Sequence, residues 1–256
     1  MKVDYHVHAL GHLEFAHTAA HLERVLTAAR EAGVQEIGLA DHDEYAKHFC
    51  LSVVQEVAAC FPDLQVRQGV EVDYQPEREE EIRTILDHHP WDFIIGSVHT
   101  VDGWPFDHPD YREGYDRWDA DELYKAYYRG IAQAADTGLF DIIGHLDLIK
   151  VFGCRPRADR LALARPALEA IRDLGLCVEV NTNGWYKPVG EVYPEEQLLQ
   201  ESQKLGIPVT TSSDAHSPDQ VGRDLDRARI FLHKAGYKTV TTFQHRQSWQ
   251  VPMGDL

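Results

Sequence analysis

Seven short apolar runs along the chain each end in a polar residue. They are Lys2–Tyr5 before His6 and His8, Ile37–Ala40 before Asp41 and His42, and Val66–Val70 before Glu71. Then come Phe93–Val98 before His99, Phe140–Gly144 before His145, Cys177–Val180 before Asn181, and Ile207–Thr211 before Asp214 and His216. Such runs, bounded by turn residues, read as buried strands. The stretches between them carry helical spacing. His21–Ala32 puts Leu22, Val25, Leu26 and Ala29 on one face and stops at Gly33. Asp119–Thr137 stops at Gly138, Ala158–Leu174 at Gly175, Pro194–Leu205 at Gly206, and Asp224–Ala235 at Gly236. A glycine just past a helix is the expected left-handed cap. Strict strand–helix alternation predicts a parallel sheet with right-handed crossovers. The expected fold is therefore α/β, a TIM-like (β/α)7 barrel. No Pro/Gly/Ser-rich linker divides the chain, so residues 1–256 read as one domain with a short C-terminal extension after Thr242. The longest irregular stretch is Thr100–Trp118, and a loop of that length in a compact domain is usually functional.

The polar ends of the runs matter because the C-terminal end of a parallel barrel is where chemistry sits. His6 and His8 are two apart at a strand end, so both project to one face. Asp214 and His216 repeat that spacing. Imidazole nitrogens mixed with carboxylate oxygens suit Zn, Mn or Fe rather than Ca or Mg. Glu71 has two oxygens and can bridge two cations. An isolated histidine is usually an ordinary surface or core imidazole, as His48, His88, His89, His233 and His245 read here. The strand-end series stands apart because successive strands deliver it to one place. Asn181 suits hydrogen bonding better than metal binding.

Two cations sharing a carboxylate would activate water and bind phosphate oxygens. No Gly-x-Ser-x-Gly elbow or P-loop offers another route. The net charge of −17 argues against nucleic acid and anionic membrane as partners. It makes basic residues on the loops informative, and Lys150, Arg155, Lys187 and Arg223 are the candidates to hold a phosphate. Trp104, Phe106, Trp185 and Tyr186 lie on the same loops and could pack on a substrate ring or simply anchor the loops. Asp102 and Asp107 could receive an ammonium group or protonate a leaving oxygen. The run Glu77–Glu81 reads as a solvated helix face. The four cysteines form no C-x-x-C pair and read as reduced thiols. With no apolar leader and no apolar stretch near the roughly 18 residues a membrane span needs, the expected location is cytoplasmic.

Taken together, His6-x-His8, Asp41-His42, Glu71, Ser97-Val98-His99, His145-Leu146-Asp147 and Ser213-Asp214-x-His216 resemble the motif series of the polymerase and histidinol phosphatase (PHP) superfamily. Gly96–His99 with Asp102–Asp107, and Asn181–Gly184 with Lys187–Pro194, resemble its histidinol-phosphate phosphatase branch. The resemblance implies a distorted seven-stranded barrel holding two or three divalent transition-metal ions. His6, His8, Glu71 and Asp214 would hold the first, and Glu71, His99 and His145 the second. His42 and His216 would hold the third, with one more ligand from the first loop. Glu14 stands where the family usually has that histidine; His12 and His17 flank it, and Gly11 favours His12. In the branch, basic residues occupy the places of Lys150 and Lys187. The implied activity is hydrolysis of L-histidinol phosphate, with Glu71 and Asp214 at the reacting centre and Lys150, Lys187, Arg155, Asp102 and Trp104 around the substrate. A rival within the class is a phosphoesterase for a nucleotide or sugar phosphate. An amidohydrolase-like C–N hydrolase would want a lysine at a strand end, and a non-catalytic module would have shed ligands. Which of Mn, Fe or Zn is used, and the oligomeric state, stay open.

Overall fold

The structure, a computed structural model, describes residues 1–254. The first four apolar runs lie in β1 (Val3–Val7), β2 (Glu36–Leu39), β3 (Gln65–Asp73) and β4 (Phe93–Ser97). A small hairpin follows, β5 (Thr100–Val101) with β6 (Trp104–Pro105), and then β7 (Ile142–Ile143), β8 (Cys177–Asn181) and β9 (Val209–Ser212). The seven long-range strands are hydrogen-bonded in the order β1-β2-β3-β4-β7-β8-β9, every pair parallel. The barrel is nearly closed where β9 meets β1. There the His8 amide donates to Ala215 O at 2.8 Å, and the Ala215 amide to His6 O at 3.3 Å. Buried Asp4 seals the same seam, accepting from Ser213 N, Ser213 Oγ and Gly222 N at 2.8, 2.6 and 2.8 Å. The expected α/β seven-unit barrel is the observed one.

Helices fill the crossovers: α1 (Ala19–Glu31), α2 (Leu51–Ala58), α3 (Glu79–Leu86), α4 (Ala120–Asp136), α5 (Arg160–Asp173), α6 (Glu196–Lys204) and α7 (Leu225–Ala235). Thr18 caps α1 by accepting from the His21 amide, and Asp119 caps α4 by accepting from Asp121 and Glu122. Both supply an acceptor for amides that have no partner inside the helix. The α1 face that turns inward is the expected Leu22, Val25, Leu26 and Ala29. Gly33 and Gly236 close α1 and α7 with φ of +72° and +99°, where a Cβ would strain the backbone. Of two short helices, α2 was not anticipated, and α3 was expected only as the solvated helix face at Glu77–Glu81. Each has only eight residues and two buried side chains, Val54 and Val57 in one, Ile82 and Leu86 in the other. So short a stripe gives little periodicity to read. The acidic run does open α3, where Glu79, Glu80 and Glu81 meet the positive end of the helix dipole.

The C-terminal segment is more than an extension. It forms an antiparallel hairpin of β10 (Thr239–Gln244) and β11 (Gln247–Pro252), turning at His245 and Arg246 with φ of +50° and +61°. Two-residue hairpin turns normally signal themselves with Asn-Gly or Asp-Gly, and His-Arg gives no such signal. Arg246 holds the turn instead, with Nε 2.9 Å from Asp141 Oδ2 and its amide 2.9 Å from Asp92 O. The hairpin sends Phe243 into the barrel, where its amide donates to Tyr5 Oη at 2.7 Å. Tyr5, Phe93 and Phe243 meet edge-on or tilted, with Tyr5 4.9 Å from Phe93 and 5.3 Å from Phe243. Room for Phe93 comes from Gly38 and Gly69, where a Cβ would lie 2.5 and 2.3 Å from its ring.

Candidate metal centre

At the other end of the barrel the strand-end side chains converge on Glu71, which is buried at the C-terminal half of β3. One oxygen, Oε2, lies 3.2 Å from His6 Nε2, 3.5 Å from His8 Nε2 and 2.9 Å from His42 Nδ1. The other, Oε1, lies 3.1 Å from His145 Nε2 and 3.5 Å from His99 Nε2. Asp214 Oδ1 stands 3.3 Å from His8 Nε2 and 3.6 Å from His216 Nδ1. Its other oxygen accepts from Asn181 and Asn183, both at 3.2 Å. Asp214 has φ of +51°, in the left-handed region that few non-glycine residues adopt.

These donors fit metal ions by their chemistry. His6 Nε2, both ring nitrogens of His8, His145 Nδ1 and Glu71 Oε2 are buried with no hydrogen-bond partner among the described residues. Unpaired buried polar atoms are costly, and imidazole nitrogens crowded around one buried carboxylate suit a cation as their common partner. Three overlapping triads bring ligand atoms within 4.8 Å of one another: His6, His8 and Glu71; Glu71, His99 and His145; His8, His42 and His216. The electrostatics agree. Burial would raise the Glu71 and Asp214 carboxyls, but the imidazoles around them, His6 foremost, hold both well below the usual range. Burial, then the neighbouring His216 and His42, hold His8 well below its ordinary value and keep it a neutral ligand. His99 goes the other way, up to about 10: burial opposes the shift, but its bond to Asp73 and the charge of Glu71 outweigh it.

The first loop places the candidate third-site residues differently. His12 stacks near His42 and His216, at 5.7 and 4.4 Å between ring centroids. His17 is engaged elsewhere, bonded through Nε2 to Asp41 at 2.9 Å and through Nδ1 to the Cys50 amide at 3.1 Å. Asp41 also accepts from the Leu10 amide at 2.6 Å. The Asp41 and His17 pair therefore braces the loop that carries His12. Glu14 is exposed and accepts from the His12 amide.

The PHP domain family matches residues 4–183, and a PHP-associated family matches residues 196–225. The chain belongs to the PHP family. It is 41% identical over 184 residues to a probable histidinol-phosphatase of Deinococcus radiodurans, a match covering 72% of this chain and 70% of that protein. It is 24% identical over 261 residues, 94% of each protein, to a histidinol-phosphatase of Lactococcus lactis. The crystal structure of histidinol phosphate phosphatase from Lactococcus lactis, complexed with zinc, L-histidinol and phosphate, aligns at a TM-score of 0.78 and 22% identity. That alignment covers 96% of this chain and 98% of the other, and at this identity it speaks to the fold.

Above the histidines of this PHP protein opens a cleft of about 820 Å³, and Lys187, Tyr193, Asp107, Arg78 and Tyr45 are among its walls. Of the residues expected around a substrate, Lys187 and Asp107 line it. Lys150, expected at the mouth, is buried beneath it. Its ammonium sits 2.7 Å from Asp147 Oδ2, 2.8 Å from Val192 O and 3.4 Å from Glu191 Oε2. Those partners satisfy its charge internally. Arg155 is likewise spent on Glu191, at 2.6 Å. Asp102 is the first residue of the β5–β6 turn, with φ of +50°, and points to solvent; Asp107 is the acid at the cleft. Trp104 anchors its loop, donating to Tyr111 O at 3.0 Å and packing edge-on to Tyr115. Trp185 and Tyr186 stack under Arg227 and Arg223 at 3.8 and 3.6 Å. Arg223 also donates to Asn183 Oδ1 at 2.9 Å.

Three residues at or just below the cleft had no sequence signal of their own, Asp73, Arg78 and Glu179, and Tyr193 entered only within the Lys187–Pro194 resemblance. Two of them lie two residues from a recognised site residue on the same strand, Asp73 after Glu71 and Glu179 before Asn181. The strand period of two would have placed each pair on one face. Lys187 is exposed, and no carboxylate pairs with it among the described residues. Lys187→Ala should lower kcat/KM for a phosphomonoester by about 10–100-fold, roughly 1.4–2.7 kcal/mol, with metal content unchanged. Steady-state kinetics at wild-type rates would make Lys187 a bystander.

Proposed function

We propose that this chain is a metal-dependent phosphomonoesterase that hydrolyses L-histidinol phosphate to L-histidinol and phosphate. The observation that carries the reading is Glu71, one buried carboxylate with five imidazoles from four strand ends within 3.5 Å of its two oxygens. His6, His8, Glu71 and Asp214 would hold one ion, and Glu71, His99 and His145 a second. His42 and His216, with His12 beside them, would hold a third. Divalent Mn, Fe or Zn bound there would supply activated water and neutralise phosphate charge. The chain's own groups do the rest. Lys187 brings a positive charge to the anionic end of the substrate. Tyr193, buried, with its hydroxyl unpaired among the described residues, keeps its proton because burial raises it, and offers that proton to a phosphate or leaving-group oxygen. Asp107 is a carboxylate placed to receive an ammonium.

The names of the relatives support the substrate, and the cleft's acidic walls, with Lys187 unpaired among the described residues, suit a zwitterionic phosphate ester. No helix among the described residues is long and apolar enough to cross a membrane. A cytoplasmic enzyme acting as one unit over residues 1–256, with a small phosphorylated partner and neither nucleic acid nor membrane, fits these features. The deciding experiment is a direct competition of histidinol phosphate with nucleoside monophosphates and glycerol phosphate, since specificity is a ratio of kcat/KM values. Histidinol phosphate should be consumed first. A nucleotide or sugar phosphate preferred by about tenfold or more, about 1.4 kcal/mol, would assign the same centre to another small phosphate ester.

A further inference from the structure

Glu179 lies inside the barrel on β8, buried and out of reach of the cleft, yet all its acceptor capacity is committed to the metal centre. Its Oε1 is 2.6 Å from His6 Nδ1 and 2.5 Å from Ser212 Oγ. Its Oε2 accepts from the His145 amide at 2.6 Å and from Asn181 Nδ2 at 3.2 Å. Two of these donors cannot change role. The His145 amide is always a donor, and Asn181 is locked because its own oxygen accepts from the Asn183 amide at 2.9 Å. Ser212 can rotate. His6 is the one partner whose proton is free to choose a nitrogen, and a carboxylate against Nδ1 makes that choice.

We propose that Glu179 is a positioning residue that keeps the His6 proton on Nδ1, and so leaves the Nε2 lone pair facing Glu71 for a metal ion. The inference rests on the metal-centre reading above. A second carboxylate behind a ligand histidine fixes its tautomer and ring orientation. Here the same carboxylate also ties the β1 ligand to the loop carrying His145 and to β9, so two ligands are set by one group. Glutamine in its place makes the test sharp. The two obligatory donors claim the amide oxygen for the Oε2 side, which turns the amide NH2 toward His6. His6 Nδ1 must then accept, its proton moves to Nε2, and the face that meets the metal is blocked.

Wild type and Glu179→Gln are loaded with zinc and titrated against a chelator, with ions per chain counted by elemental analysis and folding checked by circular dichroism. A folded variant should hold one of its ions about 10–100-fold more weakly, the range expected when such a supporting group is lost. A folded variant that keeps every ion at wild-type affinity overturns the proposal, since a carboxylate that merely cross-links strands is replaced well by an isosteric amide. If the variant does not fold, nitrogen-15 spectra of the zinc-loaded wild type decide. His6 must show a proton on Nδ1 and none on Nε2, and the opposite pattern overturns the assignment. A wild type that takes up no zinc removes the metal-centre reading and this inference with it, and is distinguished from the other outcomes by its own ion count.

Discussion

Glu71→Ala should abolish phosphatase activity and empty the metal centre while leaving a folded barrel. The expectation follows from how many interactions one carboxylate serves. Five imidazoles lie within 3.5 Å of its two oxygens, and two of the three ligand triads include it. Losing a ligand shared by two ions should lower kcat/KM by about 10²–10⁴-fold, roughly 2.7–5.4 kcal/mol of transition-state stabilisation. Sharing the carboxylate between two ions pushes the expectation to the upper end. Glu71 lies at the end of the barrel opposite the aromatic plug, so its loss leaves the packing of Tyr5, Phe93 and Phe243 in place. Elemental analysis after reconstitution should find at least two ions in wild type and fewer than two in the variant. A variant that keeps its ions and turnover would show that Glu71 is only a hydrogen-bond acceptor. A wild type with fewer than two ions would overturn the multinuclear centre itself.

Much of that centre was legible because two periodicities coincide. A parallel barrel sends every strand the same way, so a ligand-type residue at each strand end reads as a ring of ligands before any coordinate is known. His6, His8, His42, Glu71, His99, His145, Asp214 and His216 all meet there, and His12 stands beside them. The loop residues were far less legible. Lys150 and Lys187 look alike in sequence, each a lysine a few residues past a strand end. Only the fold shows that Lys150 turns inward to Asp147 and Glu191 whereas Lys187 is exposed and has no carboxylate partner among the described residues. Asp102 and Asp107 differ by a hairpin turn that puts one in solvent and the other in the cleft. Aromatics on loops are equally ambiguous, because anchoring a loop and lining a pocket both need a large apolar face.

Glu179 and the C-terminal hairpin were missed for the opposite reason. Their environment is set by contacts distant in sequence. Glu179 sits in an apolar run, and its partners His6 and Ser212 come from strands at the two edges of the sheet. Phe243 sits in a segment with a turn of unusual composition, and its worth depends on Tyr5 and Phe93, both far away along the chain. The sequence shows the pieces but not which of them meet.

Phe93→Ala tests that distant packing, and the expected result is the reverse of Glu71→Ala: a large loss of stability with the chemistry intact. Phe93 is fully buried at the start of β4, and its ring lies over Gly38 of β2 and Gly69 of β3, against Tyr5 and Phe243. Two glycines open the space it fills, so no neighbouring side chain can swing in to close the gap. Truncating a buried phenylalanine costs about 3–5 kcal/mol, the higher values where the site cannot collapse. A domain commonly has only about 5–15 kcal/mol in total. The loss should lower the melting temperature by roughly 6–20 °C. The ligands sit at the opposite ends of the strands, held by Glu71, Glu179 and Asp214 rather than by the plug. Below its melting point the variant should therefore keep the wild-type ion count and a KM within about threefold, under 1 kcal/mol. Denaturant titration and metal analysis on the same preparation check both halves. A stability loss under about 1 kcal/mol, the level of an Ile→Val change, would mean that the barrel closes without its aromatic plug. Lost ions in a still-folded variant would mean that the plug reaches the metal centre through the strands.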